Sequence, residues 1–357
     1  MQPERPAPPG RRCPGQDTYN IQAGDSMTHT RNRARRALLA CATAALAAAP
    51  WLARAADAAA GFPSQPIRII VPYPAGGGTD MLARMVGNQL QKAWGQTVVV
   101  ENMAGALGQL GMNAVARAKP DGYTIVLGIS SFLQAPYLYK NIPYDIYKDF
   151  EPITVLARSS NLWTVPENSP IKTFDDMLEQ GKSGKGLNYG SYGAGTSAHL
   201  HMEQLMRETG MKGTHVPYKG AAPLVNDALG GHLDVGVVDV TTSAVHVKAG
   251  TLRVLAVDGT RRVTTAPDAP TLEELGHKGL GAHGWFGFLA PAGTPEPIVQ
   301  KLSAELNRII RSPEMSEAFA SLSLQPGGTT PQETRDIMAS EGKSWGEMIK
   351  SVGVTLE

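Results

Sequence analysis

The chain has 357 residues, with 33 Lys+Arg against 32 Asp+Glu for a formal net charge of +1, and 42% of the residues are hydrophobic. That apolar share excludes a disordered chain, two cysteines cannot staple a protein of this length, and the near-neutral balance lacks the concentrated basic face that gripping nucleic acid requires. The length accommodates about two domains at roughly 150 residues each.

Residues 1–26 are rich in Pro, Gly and Arg and show no apolar period. Met27 opens a different pattern. Arg31, Arg33, Arg35 and Arg36 form a basic block, Ala37 to Ala53 is apolar apart from Thr43 and Pro50, and Ala53-Arg54-Ala55 supplies small residues for cleavage. That order reads as a secretory signal peptide over about residues 27–55, with Met27 as the true start. A membrane anchor is the competing reading, but the run is short and weakly hydrophobic for a span. Leu38-Leu39-Ala40-Cys41 is discounted as a lipidation box, since only four apolar residues precede the cysteine, and Arg35-Arg36 hints weakly at twin-arginine export. Without residues 1–55, about 302 residues remain, carrying 25 basic and 29 acidic side chains, and both cysteines (Cys13 and Cys41) are gone. A cysteine-free, mildly acidic chain suits an oxidising extracytoplasmic space such as the periplasm.

Beyond the leader, Ile67 to Val71 predicts a strand that enters Pro72-Tyr73-Pro74-Ala75-Gly76-Gly77-Gly78-Thr79-Asp80. Leu82, Met85, Val86, Leu90 and Ala93 then share one face of a helix that Gly95 stops. Thr97 to Val100 predicts a second strand, residues 108–118 a short helix, and Tyr123 to Leu127 a third strand after the Pro120-Asp121-Gly122 turn. Thr173 and Asp176 form a capping box. Leu187-Asn188-Tyr189 predicts a strand leading through Gly190-Ser191-Tyr192-Gly193-Ala194-Gly195-Thr196-Ser197 into another helix. Val235 to Val238 and Leu252 to Val257 are further strands, and Thr271 to Glu274 a second capping box. Ile298, Leu302, Leu306 and Ile309 line a helix after Gly293-Thr294-Pro295, and Thr330, Pro331 and Glu333 open the last one. This alternation predicts an α/β fold with parallel sheets.

Two Gly-rich strand-to-helix loops thus stand about 115 residues apart, one in each half. In open α/β sheets ligands bind beyond the carboxyl ends of the strands, so two facing domains would bring both loops to one cleft. Such loops offer unpaired N–H groups and the positive end of a helix dipole, which bind anions. Thr79, Ser191, Thr196 and Ser197 add hydroxyls, and neither loop contains Lys or Arg. A micromolar site needs about −8 kcal/mol. Four or five hydrogen bonds to a charged group, at roughly 1.5–3 kcal/mol each, would hold a carboxylate without a cation. The glycines could equally be turn formers, but two loops at matching positions favour a binding role. Neither loop carries a phosphate-loop or dinucleotide spacing, and no cofactor is expected.

Other candidates are weaker. His199 and His201 lie two apart on a predicted helix and point to different faces, so no metal site is expected. Ser130 and Ser131 end the third strand, where a hydroxyl could reach the cleft or cap the strand edge. Asp239 follows Val235-Gly236-Val237-Val238 and could accept from a ligand or cap the next helix. Met202 and Met206 read as core. Gly190-Ser191-Tyr192-Gly193 has the wrong spacing for a nucleophile elbow.

The segment Val71 to Asp80 closely resembles the first motif of the substrate-binding proteins of tripartite tricarboxylate transporters, the Bug or TctC-like family. Pro120-Asp121-Gly122-Tyr123-Thr124, Gly190 to His199, His215-Val216-Pro217-Tyr218-Lys219-Gly220 and Ala290-Pro291-Ala292-Gly293-Thr294-Pro295 are also similar to family signatures and stand in family order. The resemblance runs from about Phe62 to the C-terminus. It implies a type II-like periplasmic binding protein of two domains, one comprising residues 62–160 and 284–357 and the other residues 161–283, with the ligand between them. It also implies a monomer that closes over a small organic acid and hands it to membrane permease subunits. Carried over, it points to Ala75, Gly78 and Thr79 in the first loop, to Ser191, Thr196 and Ser197 in the second, and to Asp239 for the far end of the ligand. With Gly76, Gly195, Ser130 and Ser131 these complete the candidate ligand set. Where relatives usually show Asn-Arg-Pro-Gly-Ala-Gly-Gly, this chain has Asn102-Met103-Ala104-Gly105-Ala106-Leu107-Gly108, so a basic residue and a glycine are missing. Val240-Thr241-Thr242 is also unusual, and Tyr192 puts a ring inside the second loop.

A non-enzymatic binder is therefore the leading expectation. The competing readings are an extracytoplasmic α/β hydrolase using Ser191 with a histidine, and a ligand-presenting partner of a sensor kinase that would share the same site. Tyr73, Phe132, Tyr189, Tyr192 and Trp285 are candidates for an aromatic lining, or for core.

Overall fold

The computed structural model describes residues 60–280 and 284–356. The expected leader, both cysteines included, lies outside them.

Strands β1 (Ile67–Val71), β2 (Val98–Asn102) and β3 (Thr124–Ile129) pair in parallel in the order β2-β1-β3. Helices α1 (Gly78–Trp94) and α2 (Gln109–Ala116) make the crossovers, as parallel pairing demands. The short helix α3 (Ala135–Leu138) follows β3. The sheet continues through strands β4 (Phe150–Ser159), β10 (Gly284–Pro291) and β11 (Gln325–Pro326), giving the order β11-β4-β10-β3-β1-β2. Strand β10 runs antiparallel to both β3 and β4. Its residues after Gly284 are all buried, so no two-residue alternation marks it in the sequence.

A second sheet has the order β7-β6-β8-β5-β9. Its strands are β5 (Asn161–Pro166), β6 (Leu187–Ser191), β7 (Gly213–Pro217), β8 (Val235–Asp239) and β9 (Leu252–Val257). Helices α4 (Phe174–Lys182), α5 (Ser197–Thr209), α6 (Ala221–Leu229) and α7 (Val240–Lys248) connect them. Helices α8 (Glu296–Ile310), α9 (Pro313–Ser321) and α10 (Pro331–Val352) follow β10. Ser160 alone separates β4 in the first sheet from β5 in the second, and the return passage runs from β9 to β10. Among the described residues no helix is long and apolar enough to cross a membrane.

The predicted elements occur with small shifts at their ends. Thr271 and Glu274 make both reciprocal capping-box bonds, 2.8 and 3.1 Å, yet only a turn follows. His277 N–H closes back on the Leu272 carbonyl at 2.9 Å with Gly276 at φ 92°, so the chain curls out of helix after one turn. The box supplies partners for helix-end N–H groups; it cannot extend a helix past a left-handed residue. Each sheet carries its own apolar packing, Ile69, Leu82 and Phe288 at the first and Trp163, Tyr189 and Val237 at the second.

Candidate functional site

The loop after β1 is shaped by Asp80. Its carboxylate accepts from Gly76 N–H at 3.0 Å, from Arg84 at 2.9 and 3.2 Å, and from Asn102 Nδ2 at 3.1 Å. Asn102 Nδ2 also donates to the Tyr73 carbonyl at 3.1 Å. Burial pushes the Asp80 carboxyl up, but the Arg84, Gly76 and Asn102 hydrogen bonds outweigh it and hold the group below the usual range. Gly76, at φ 84°, turns the chain so that α1 begins at Gly78. No side chain caps that helix end.

The loop after β6 is built in the same manner. Thr196 Oγ1 donates to the Gly193 carbonyl at 2.7 Å. Gly195, at φ 78°, donates its N–H to His199 Nδ1 at 3.0 Å. Helix α5 then starts without a side-chain cap. The loop after β7 leads through Gly220, at φ 114°, into α6, also uncapped by a side chain, and Gly108 opens α2 likewise. These helix ends border one cavity of about 580 Å³ that Gly78, Thr196, Ala221 and Gly108 help to line. Each helix leaves its first N–H groups without intrahelical partners and carries partial positive charge there. Several such ends at one cavity make a cationic environment, to which Lys219 adds the one lining cation among the described residues.

Eight of the eleven candidate residues line this cavity: Ala75, Gly78, Thr79, Ser130, Ser131, Thr196, Ser197 and Asp239. Gly76, Ser191 and Gly195 stand behind it. The Gly76 and Gly195 N–H groups are taken by Asp80 and His199, as above. Ser191 is fully buried, donates to the Gly193 carbonyl at 2.9 Å and lies 2.7 Å from His215 Nε2. Gly193 N–H also reaches Ser191 Oγ at 3.3 Å, so the hydroxyl is tied into its own loop as well as to the imidazole. Burial, with His199 stacked 3.9 Å away between ring centres, lowers the His215 pKa to about 4. The serine–histidine pair is thus a packed hydrogen bond away from the cavity wall.

Asp239 combines the two roles that its position left open. It caps α7, with Thr241 Oγ1, Thr242 N–H at 2.9 Å and Thr242 Oγ1 at 3.1 Å all donating to Oδ1, and it also lines the cavity. Ser131 lies 3.3 Å from the Tyr73 hydroxyl, whose pKa burial pushes up to about 12. Tyr73, Tyr192 and Trp285 line the cavity, while Phe132 and Tyr189 are core. His199 faces His215 and Tyr189, and His201 faces Trp345, as their two-residue spacing requires. Among the described residues no group of three or more His, Cys, Asp or Glu could hold a metal ion.

Asn161, like Lys219 and Leu107, lines the cavity outside the candidate ligand set. Its Nδ2 donates to Ser197 Oγ at 3.1 Å and to Asp258 Oδ2 at 2.6 Å, and its Oδ1 accepts from the Tyr192 hydroxyl at 3.1 Å. Tyr192 and Ser197 hydroxyls lie 2.8 Å apart. Burial raises the Tyr192 pKa, so the ring keeps its proton. Asp258 also accepts from Trp163 Nε1 at 2.7 Å and lies 2.8 Å from His201 Nδ1. An asparagine opening a strand that is apolar but for Thr164 was the available signal.

The walls meet across the cavity. A Cβ at Gly78 would collide with Thr241 Oγ1 and stand 3.4 Å from Asp239 Oδ1, so the first Gly-rich loop presses on the start of α7.

Residues 82–354 match the Tripartite tricarboxylate transporter family receptor. Among solved structures, the periplasmic binding protein BugD is 34% identical, with 83% of this chain and all of that one covered at a TM-score of 0.77. Rpa4515 of Rhodopseudomonas palustris, solved with adipate, is 31% identical over 82% of this chain and 99% of that one, with a TM-score of 0.79. MatC from the same organism, with bound malate, is 27% identical over 81% of this chain and all of that one, with a TM-score of 0.75.

Proposed function

The chain belongs to the tripartite tricarboxylate transporter receptor family, and we propose that its cleft captures one small organic carboxylate for delivery to the permease of such a transporter. The family consists of periplasmic solute-binding proteins with an α/β, two-domain, type II-like fold, and they are not enzymes. The observation that carries the reading is the convergence of helix ends uncapped by side chains on a cavity that Thr79, Thr196 and Ser197 help to line. In this reading the carboxylate lies against the N–H groups of Gly78 and Thr79 and the hydroxyls of Thr79 and Ser197, while Thr196, whose proton is on the Gly193 carbonyl, borders it. Asp239 accepts from a donor at the far end of the ligand, and Ser130 and Ser131 border it. Gly76, Ser191 and Gly195 shape the loops from behind.

Residues 62–160 with 284–357 form one lobe and residues 161–283 the other, and the lobes close on the ligand as a monomer. The chain reaches the periplasm by cleavage of the segment ending near Ala55. An intact mass matching a start near Ala56 in protein exported to the periplasm supports that step, and a retained N-terminus refutes it.

Thermal unfolding and calorimetry with a panel of mono-, di- and tricarboxylates test the main reading. One acid raises the melting temperature and binds with unit stoichiometry while remaining chemically unchanged. A flat response to the whole panel, with turnover of an ester, would defeat it.

A further inference from the structure

Leu107 occupies a backbone position that suits glycine or asparagine. From Gly105 to Gly108 the chain has φ values of 155, 44, 54 and 87°, and leucine rarely adopts the left-handed region. Such strain persists where the surroundings hold it, and it gathers at ligand clamps. Leu107 packs against the apolar cluster that contains Leu138 and Leu200. Its two methyl carbons lie 3.6 Å from the Cβ position at Gly195 and 3.9 Å from that at Gly193. Both glycines belong to the loop of the second sheet, so this side chain bridges the cavity from the first.

The chemistry of the walls points the same way. The charged side chains among the described lining residues are Lys219 and Asp239, whereas Leu107, Tyr139, Tyr192, Trp285 and Phe286 are all apolar or aromatic. Lys219 is the one cation among these lining residues, so a second carboxylate placed away from it against such walls loses its hydration without gaining a partner. An apolar body gains burial there.

We propose that Leu107 is a specificity-determining residue that selects a monocarboxylate with an apolar body, an aromatic ring or alkyl chain, over short polyfunctional acids. The proposal rests on the carboxylate reading of the cleft and narrows it. Calorimetry on the purified protein with benzoate, hexanoate, malate and citrate tests it. Wild type binds benzoate or hexanoate at least about tenfold more tightly than malate or citrate, the discrimination that a methylene-scale apolar contact provides. Leu107→Asn keeps the backbone conformation but replaces the apolar wall, and it removes that preference, as does Leu107→Gly. Ligand-free melting curves establish that both variants fold. Wild type preferring malate or citrate overturns the inference and leaves the carboxylate cleft standing, whereas no binding of any acid overturns both. An unchanged ranking in the folded variants removes the role from Leu107.

Discussion

Thr79, Ser191 and Asn161 show how hydrogen bonding sorts polar side chains into those that shape the site and those that can meet a ligand. Thr79 lines the cavity with no protein partner for its hydroxyl among the described residues. Thr79→Val therefore weakens carboxylate binding by about 1–3 kcal/mol, the worth of one hydrogen bond to a charged group, measured by calorimetry. Ser191 is occupied by Gly193 and by His215, the second of which no inspection of its own loop foretells. Asp258 is 1% exposed and holds Asn161, Trp163 and His201. Asp258→Ala strands these buried donors and lowers unfolding stability by about 3 kcal/mol, the scale for breaking a buried charged network, read from urea denaturation. His215 gives a pH signature. Its folded pKa of about 4 lies below the ordinary 6.5, so between those values the unfolded chain binds the extra proton and stability falls as pH falls. His215→Gln flattens that slope relative to wild type in urea midpoints measured from pH 7 to pH 4. A parallel slope in the variant would assign the proton elsewhere.

Among elements, the contrast between capping boxes separates what a motif says from what its surroundings permit. Thr330 and Glu333 bond reciprocally at 3.2 and 2.8 Å and open the 22-residue helix α10. Thr330→Ala costs about 1 kcal/mol of stability, typical of a lost N-cap, with little effect on ligand affinity, as chemical denaturation and calorimetry would record. The identical chemistry at Thr271 caps a single turn, because Gly276 diverts the chain. Helices α1 and α5 invert the pattern, for both lack a side-chain cap where the chain would otherwise favour one. A helix end left without a cap at a cavity keeps its N–H groups free for an anion. The amphipathic period of α1 and the β-branched runs of β1, β8 and β9 were legible as sequence. Strands β5 and β10 were not, since both are almost wholly buried and carry no alternation.

The proposed closure is a property of the whole molecule. The first loop meets Thr241 and Asp239 through Gly78, and the second meets Leu107, Leu138 and Leu356 through Gly193 and Gly195. A side chain at Gly78 keeps these walls apart. Gly78→Ala reduces affinity by about tenfold or more, because in the proposed closure the state that binds becomes less populated. Small-angle scattering with ligand present reads the outcome: the variant stays expanded, and compaction equal to wild type would refute the contact. With residues 1–55 removed, as proposed, the chain is net negative, so the proposed capture depends on the helix ends and Lys219 at the cavity rather than on long-range attraction.

The α/β class, the two Gly-rich loops at strand ends and most candidate residues can be read from contiguous residues, since periodicity, turn glycines and helix starts are local properties. Tertiary structure alone decided which of those polar groups remain available. Ser191 meets His215 24 positions away, and Asn161 meets Asp258 97 positions away. Partners at such separations are brought together by sheet topology, and burial then makes each pairing obligatory. That is why the loops and most of the cavity wall could be found in the sequence, whereas Asn161 and the engagement of Ser191 could not.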